Sequence, residues 1–364
     1  MKKIKVLQIT GGLNIGGLET VAMNTVRFSD CSRISFDFLV YTSAIGAYEK
    51  EAEELGCRVI HMQKPSDYFL FYQALKKIIK KNGPYDVVYS HTFFNSGMAM
   101  RAAKACGIKK CIAHAHSEKR FNEASLLRSV FYAVMRNWLN KYADYRMACS
   151  VAAGEYVYGR KAKFNVVKNG IDAAKFNFNT KARIKVRAEF GMENSFVIGN
   201  ISRISEAKNH LFLIKIFHEL LKIKPNSKLL IVGDGDLRSL VEDEIARLGI
   251  EDNVVLTGSR SDVPELLSAL DCFVFPSIHE GLGISAIEAQ ASGLPVLCSD
   301  AVPHEVQVTD LLRFKSLKDG EKSWAESIVE LSFKRNRESK IREIRKAGYD
   351  IKSSVREIEE VLIS

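Results

Sequence analysis

The sequence predicts an α/β protein built from two Rossmann-like, doubly wound domains that face one another across a cleft. Three observations carry this prediction. The chain has 364 residues, with 46% hydrophobic and 26% charged side chains, which is long for a single core and comfortable for two. Short apolar runs alternate with helix-length segments, the pattern of a mostly parallel sheet covered by helices. That alternation breaks once, near residues 170–190, and then restarts.

In the first half, Lys5–Thr10 reads as a strand, followed by Gly11-Gly12-Leu13-Asn14-Ile15-Gly16-Gly17 and a helix starting near Leu18. This strand, tight loop and helix order opens an α/β sheet. Further strands are expected at Ser35–Val40, Arg58–His61, Val87–Ser90, Cys111–Ala115, Tyr145–Ser150 and Asn165–Val167. Helices are expected at Phe69–Lys81, Gly97–Cys106 and Leu126–Tyr142. The turn Asn169-Gly170-Ile171-Asp172 and the polar stretch Ala173–Lys185 end this half. The second half is a cleaner repeat, with strands at Phe196–Ile201, Lys228–Val232, Asn253–Thr257, Cys272–Pro276 and Pro295–Cys298. Its helices are Asn209–Lys222, Leu237–Leu248, Val263–Ala269 and Gly283–Ser292, with later ones near Lys322–Phe333 and Ile351–Leu362. The domains are therefore assigned to residues 1–175 and 176–345. Residues 346–364 are expected to form a helix that packs back toward the first domain.

Charge is uneven. Residues 1–180 hold 27 Lys/Arg and 14 Asp/Glu, a balance of +13, and residues 181–364 hold 26 and 29, a balance of −3. A basic first half suits an anionic partner such as a phosphorylated acceptor, an anionic bilayer or a nucleic acid. No nucleic-acid-binding motif is present, and nucleic acid is not expected as a partner. The seven cysteines are scattered without a CxxC pair and read as thiols of a reducing cytoplasm. The apolar run after Met1-Lys2-Lys3 is too short for a signal peptide. No run approaches the roughly 20 apolar residues of a membrane span. The expected location is cytoplasmic, with a peripheral place on the inner face of the cell membrane as its finer form.

The chemistry concentrates in His279-Glu280-Gly281-Leu282-Gly283-Ile284-Ser285-Ala286-Ile287-Glu288-Ala289-Gln290-Ala291-Ser292-Gly293-Leu294-Pro295-Val296. Glu280 falls in a loop and Glu288 on the following helix, so the two carboxylates can accept hydrogen bonds from different hydroxyl-rich parts of one ligand. The loop between them exposes backbone N–H groups at Gly283 and Ile284 and starts a helix, which suits phosphate. This stretch resembles the signature of the GT-B glycosyltransferases, specifically the retaining family 4 enzymes that include the capsular and exopolysaccharide type. The resemblance implies that Glu280 faces the transferred sugar and that Glu288 holds the donor ribose.

Other segments extend the resemblance from residue 4 to about residue 300. Gly199-Asn200-Ile201-Ser202-Arg203 and Glu206-Ala207-Lys208-Asn209 match the segment in which an Arg and a Lys neutralise the donor diphosphate. Arg203 and Lys208 carry that role over, because the diphosphate departs with growing negative charge. Gly17 matches the first-domain glycine loop, and Gly233 the glycine turn after the second strand of the second domain. Ser259, Arg260 and Val263 fall where the family binds the nucleotide base, mostly through backbone groups. Ala113-His114-Ala115-His116 matches a strand whose terminal histidine points toward the donor sugar, and His116 fits that place best. His114 shares its face of the strand. Two such histidines also suggest a metal pair, but no third ligand stands at a supporting spacing, so no metal is expected. The glycines form no clean GxGxxG, and Asp37 lies inside a strand, so NAD and FAD are not expected. The chain departs from the family pattern at Gly281-Leu282-Gly283, where a phenylalanine is commoner, and at Ala207.

The resemblance implies a retaining transfer of a hexose or N-acetylhexosamine from a nucleotide sugar, commonly UDP-linked, to a hydroxyl. No cofactor or metal is required. The expected route is front-side, with the departing phosphate taking the acceptor proton. Arg203, Lys208, Glu280 and His116 form the catalytic set. The acceptor is read as a glycan or a lipid-diphosphate-linked sugar of cell-surface polysaccharide synthesis. Tyr68-Phe69-Leu70-Phe71-Tyr72 with Lys76, Lys77, Lys80 and Lys81, the run Lys119-Arg120-Phe121, and the helix Leu126–Tyr142 mix aromatic and basic residues as a bilayer surface would require. A sugar-nucleotide epimerase of the same fold is the alternative enzyme reading, and a basic nucleic-acid-binding protein the alternative from another class.

Overall fold

The computed structural model describes residues 3–116, 126–332 and 337–364. The chain forms two compact units, Met1–Gly170 together with Ile351–Ser364, and Ile171–Asp350.

In the first unit, strands β1 (Ile4–Thr10), β2 (Ile34–Val40), β3 (Arg58–His61), β4 (Val87–Ser90), β5 (Lys110–Ala115), β6 (Tyr145–Ala148) and β7 (Asn165–Val166) alternate with helices. These are α1 (Gly17–Phe28), α2 (Glu49–Glu54), α3 (Tyr68–Asn82), α4 (Ser96–Ala105), α5 (Leu126–Tyr142) and α6 (Val151–Tyr158). The strands pair in parallel, in the order β3-β2-β1-β4-β5-β6-β7. The inner strands are buried on both faces, which is why β1, β2 and β4 are almost continuously apolar.

The second unit carries α7 (Thr180–Glu189), β8 (Phe196–Ile201), α8 (His210–Ile223), β9 (Ser227–Val232), α9 (Arg238–Leu248), β10 (Val254–Leu256) and α10 (Val263–Ala269). It continues with β11 (Cys272–Phe275), α11 (Ile284–Ala291), β12 (Val296–Ser299), β13 (Leu312–Lys315), α12 (Gly320–Ser332) and α13 (Ile341–Lys346). Its parallel sheet runs β10-β9-β8-β11-β12-β13. The last helix, α14 (Ile351–Ile363), belongs to the first unit, where Ile358 and Leu362 are buried in the cluster that holds Val6, Met23 and Phe36.

Local chemistry sets the element ends. Asp67, Ser150 and Asn179 each cap a helix by accepting a backbone N–H, from Leu70, Ala153 and Ala182 respectively. The strand expected to run to Ser150 stops at Ala148 because Ser150 turns to cap α6. Helices α2, α6 and α13 and strand β13 are not marked by the sequence pattern; α2 and α13 are only six residues long, too short to show a helical period. Asp37 is tied inside the first unit by Arg58, at 2.5 Å, and by Tyr85 Oη, at 2.8 Å. Burial opposes its ionisation, but these hydrogen bonds prevail and hold the carboxyl below its ordinary value. The strand order reverses at β1/β4 and at β8/β11. At such a switch point the flanking loops part and leave a crevice at the carboxyl ends of the strands.

Candidate active site

In the second unit, the loops after β8 and β11 are stitched together by backbone. Asn209 adopts a left-handed conformation, φ 58°, and its Nδ2 donates to Pro276 O at 3.1 Å. Ile278 N donates to Ala207 O at 2.8 Å. Ala207 therefore contributes its carbonyl, which explains why an alanine serves there. This stitching brings Lys208 Nζ onto Glu280 Oε1, across 72 positions of sequence. The same oxygen accepts from Ser277 Oγ at 2.8 Å, and Ser277 O accepts from Ser299 Oγ. Glu280 is only 9% exposed, so its charge is balanced at close range. The Lys208 ammonium also lies 5.2 Å from the centroid of the Phe275 ring.

Arg203 stands apart from this pair. Its side chain is 67% exposed and, among the described residues, pairs with the still more open Asp236, at 2.9 Å. The loop carrying it touches the glycine turn after β9. Gly233 has φ 136°, and a Cβ there would fall 2.1 Å from Ser202 O; a Cβ at Gly235 would fall 2.1 Å from Ile204 O. Only glycine lets these two backbones approach so closely. Gly283, φ 90°, precedes α11, and a Cβ there would crowd the Phe275 ring at 3.1 Å. The first amides of α11, beginning at Ile284, lie at a helix end where donors lack intrahelical partners. Glu288 lies one turn along, on the face of Ile284. Its carboxylate has no hydrogen-bond partner among the described residues, and burial pushes its pKa up to about 8.

In the loop after β10, Arg260 is held on both sides, by Glu189 at 2.9 Å and by Asp262 at 2.7 Å. Its guanidinium is committed to the scaffold, which leaves the loop's backbone at Ser259 and Val263 as its free chemistry. Val263 is the first residue of α10.

In the first unit, Gly17 is the first residue of α1, and a Cβ there would meet nothing within 4 Å. His116 lies directly after β5 and His114 within it, with ring centroids 4.1 Å apart. A third imidazole joins them from the end of β4. His91 Nδ1 is 2.8 Å from His116 Nε2, and His91 Nε2 is 3.0 Å from Gln8 Oε1. Gln8 Nε2 donates to Ala22 O at 3.3 Å, which leaves Gln8 Oε1 as the acceptor. His91 then carries its proton on Nε2 and accepts from His116 Nε2–H. Tyr89 Oη completes the group, 2.7 Å from His114 Nδ1. Burial lowers the pKa of all three imidazoles, that of His116 to about 3. Sequence reasoning missed Gln8, Tyr89, His91, Asp236 and Ser277. The one signal the sequence held for His91 is its place directly after the expected strand Val87–Ser90.

The fold agrees with that of known proteins. Residues 15–175 match the family model described as Glycosyltransferase Family 4, and residues 183–346 the model described as Glycosyl transferases group 1. EpsF of Bacillus subtilis (strain 168), named as a glycosyltransferase, is 32% identical over 96% of this chain and 94% of its own length. The capsular polysaccharide biosynthesis glycosyltransferase CapH of Staphylococcus aureus is 25% identical over 99% of both chains. An Escherichia coli protein named UDP-Gal:alpha-D-GlcNAc-diphosphoundecaprenol alpha-1,3-galactosyltransferase is 29% identical over 67% of this chain and 64% of its own. Among solved structures, Anabaena HepE, crystallised with UDP and glucose, superposes with a TM-score of 0.82 at 21% identity, covering 99% of this chain and 100% of that one. Two Rossmann-like units, each with its candidate residues on the carboxyl edge of a parallel sheet, and a full-length relative at this identity lead to one assignment: the chain belongs to the family 4, group 1 glycosyltransferases and has the GT-B fold.

Proposed function

We propose that this enzyme transfers a hexose or N-acetylhexosamine, with retention, from a UDP-sugar to a hydroxyl of a lipid-diphosphate-linked glycan in cell-surface polysaccharide synthesis. The observation that carries the donor reading is the meeting of Lys208 and Glu280 at the switch point of the second sheet, where the loop after β8 also carries the open guanidinium of Arg203. Arg203 exchanges Asp236 for the diphosphate, and Lys208 turns its ammonium toward the leaving oxygen. Both stabilise charge that grows as the sugar–phosphate bond breaks. Gly233, Gly283 and Ile284 offer backbone amides and close approach to the phosphates, a role that the family resemblance extends to Gly17. Glu288 accepts from the ribose hydroxyls, the backbone at Ser259, Arg260 and Val263 meets the base, and Glu280 holds hydroxyls of the transferred sugar. His116 orients the same sugar. The departing phosphate takes the acceptor proton, so no side chain has to act as base. UDP is supported by the UDP-bound structure that this fold matches, and a lipid-diphosphate acceptor by the name of the E. coli relative. Arg203→Ala tests the reading: turnover should fall by about 10²-fold or more, on the order of other lost transition-state donors, with an unchanged melting profile. Undiminished turnover would overturn it.

The acceptor reading brings the bilayer with it. Tyr68, Phe69 and Leu70, at the start of α3, are 49%, 68% and 57% exposed. The Tyr68 ring stacks on Phe131 of α5 at 4.8 Å, and Val130 beside it is 55% exposed. Exposed Lys77, Lys80 and Lys81 lie further along α3. The run Lys119-Arg120-Phe121 lies outside the described residues. Among the described residues, no helix is long and apolar enough to cross a membrane, so contact would be peripheral, on the cytoplasmic face. Co-sedimentation with anionic vesicles at low salt, weakened at high salt and by Phe69→Asp, supports this contact; absence of binding at low salt refutes it.

A further inference from the structure

We propose that His91, His114 and His116 form a binding site for a transition-metal ion of the Zn2+ class. Each residue offers one imidazole nitrogen, and these nitrogens all lie within 4.8 Å of one another. His114 lies in β5, and His91 and His116 directly follow the adjacent, paired strands β4 and β5, so the backbone fixes the spacing of their origins.

The outward nitrogens are already engaged by oxygen. His91 Nε2 lies 3.0 Å from Gln8 Oε1, and His114 Nδ1 lies 2.7 Å from Tyr89 Oη. A ligating histidine typically donates its other N–H to an oxygen in this way, which fixes ring orientation and aims the lone pair inward. The inward atoms are then His91 Nδ1, His114 Nε2 and His116 Nε2. His91 and His114 are 1% and 2% exposed, and His114 Nε2 is buried without a hydrogen-bond partner among the described residues. A nitrogen stranded in this way is destabilising, and an ion removes that penalty.

The spacing suits a small ion. A tetrahedral site with metal–nitrogen bonds of about 2.0–2.1 Å sets its nitrogens about 3.4 Å apart. The pair His91 Nδ1 and His116 Nε2, at 2.8 Å, and the 4.8 Å limit for the group bracket that value, so small side-chain rotations suffice. The proton now shared between His91 and His116 has a place to go. It moves from His116 Nε2 to His116 Nδ1, which also lacks a partner among the described residues. No proton leaves the ligand set and all three imidazoles stay neutral. A cluster of imidazoles without carboxylates favours Zn2+, Co2+ or copper over Mg2+ and Ca2+. Three protein ligands leave one position for water.

The test uses the full chain, freed of metal with a chelator, and Zn2+ and Co2+ as probes. One tight equivalent of Zn2+ by calorimetry, and the intense visible absorption of four-coordinate Co2+, are the expected results. His114→Gln should abolish both. Tyr89→Phe and Gln8→Leu retain every ligand and should weaken Zn2+ binding about 10- to 100-fold by freeing the imidazole orientation. Absence of a tight equivalent, survival of it in His114→Gln, or a weak six-coordinate Co2+ spectrum overturns the site. Should His114→Gln fail to fold, Tyr89→Phe decides: unchanged Zn2+ affinity overturns the proposal. UDP binding, measured on the same samples, reports separately on the donor reading.

Discussion

At the scale of single residues, the donor edge holds two carboxylates in opposite conditions. Glu280 is paired with Lys208 and hydrogen-bonded by Ser277, whereas Glu288 has no described partner and is pushed toward its neutral form. Removing Lys208 leaves Glu280 buried with one hydroxyl for company, and a charged group left short of partners costs on the order of 1–3 kcal/mol or more. Lys208→Ala should therefore lower both the melting temperature and turnover. The double variant Lys208→Ala/Glu280→Gln should regain most of the stability and none of the turnover. Thermal unfolding with a transfer assay checks this; a Lys208→Ala protein as stable as the wild type contradicts the pairing. Glu288 gives a pH signature. Its folded pKa, about 8, exceeds the ordinary value of 4.5, so between these limits the folded chain holds more protons than the unfolded one. Its contribution to stability is thus fully present below about pH 4.5 and is lost as pH rises through about 8. Glu288→Gln should remove that slope from the pH dependence of chemical denaturation. Ribose hydroxyls that donate to this carboxylate favour its ionised form, so UDP binding near neutral pH should release a proton, seen by calorimetry in buffers of different ionisation enthalpy. UDP binding without proton release argues against the contact with Glu288.

At the scale of elements, the crevice depends on loops that touch through backbone. A Cβ at Gly235 meets Ile204 O at 2.1 Å, and backbone cannot yield as a flexible side chain can. Gly235→Ala should force apart the loop that carries Arg203, at about 1–3 kcal/mol, and raise the KM for the donor. Gly249→Ala is the control. Gly249 ends α9 at φ 65° with nothing within 4 Å, so its substitution should cost roughly 1–2 kcal/mol of backbone strain and leave KM unchanged. Equal KM values for Gly235→Ala and wild type would detach the glycine turn from donor binding. The elements themselves were largely legible, because period and strand length are local properties: Arg58–His61, Phe196–Ile201 and Val263–Ala269 fall where their residues predict. The candidate donor-side residues were proposed from a contiguous stretch, Glu280 to Glu288, that family resemblance can read. The pairings among candidate residues were not legible. Lys208 meets Glu280 only because β8 and β11 are neighbours, and His91 joins His114 and His116 only because β4 pairs with β5. Strand order is a nonlocal property that no spacing along the chain encodes. Arg260 shows the limit from the other side: its position fits the base-binding loop, yet Glu189, 71 residues earlier, and Asp262 hold its side chain.

At the scale of the whole molecule, the chain crosses from one unit to the other and returns. The crossings lie side by side, since Ile171 and Asp350 form a parallel bridge and Ile171 N donates to Tyr349 O at 2.9 Å. The second unit thus ends at Asp350, and the remaining helix serves the first. α14 buries Ile358 and Leu362, and Lys110 Nζ from β5 donates to Val361 O at 3.0 Å and Leu362 O at 3.2 Å, carbonyls that the helix end leaves unpaired. Two buried aliphatic side chains are worth about 1.5–3 kcal/mol each, a large share of a domain's net stability of about 5–15 kcal/mol. Removal of residues 351–364 should therefore destabilise the first unit selectively. The chain's two tryptophans report on the units separately, Trp138 in α5 of the first and Trp324, fully buried, in α12 of the second. In a Trp324→Phe background, the truncated chain should unfold at markedly lower denaturant than its full-length counterpart. In a Trp138→Phe background the midpoint should hold, and UDP should still raise it, because the donor-side residues of the second unit lie wholly within residues 171–350. Lys110→Met should reproduce a smaller part of the first effect. Equal loss at both tryptophans would mean that α14 supports the second unit as well, and no loss at Trp138 would mean that the buried face of α14 adds little to the core it covers.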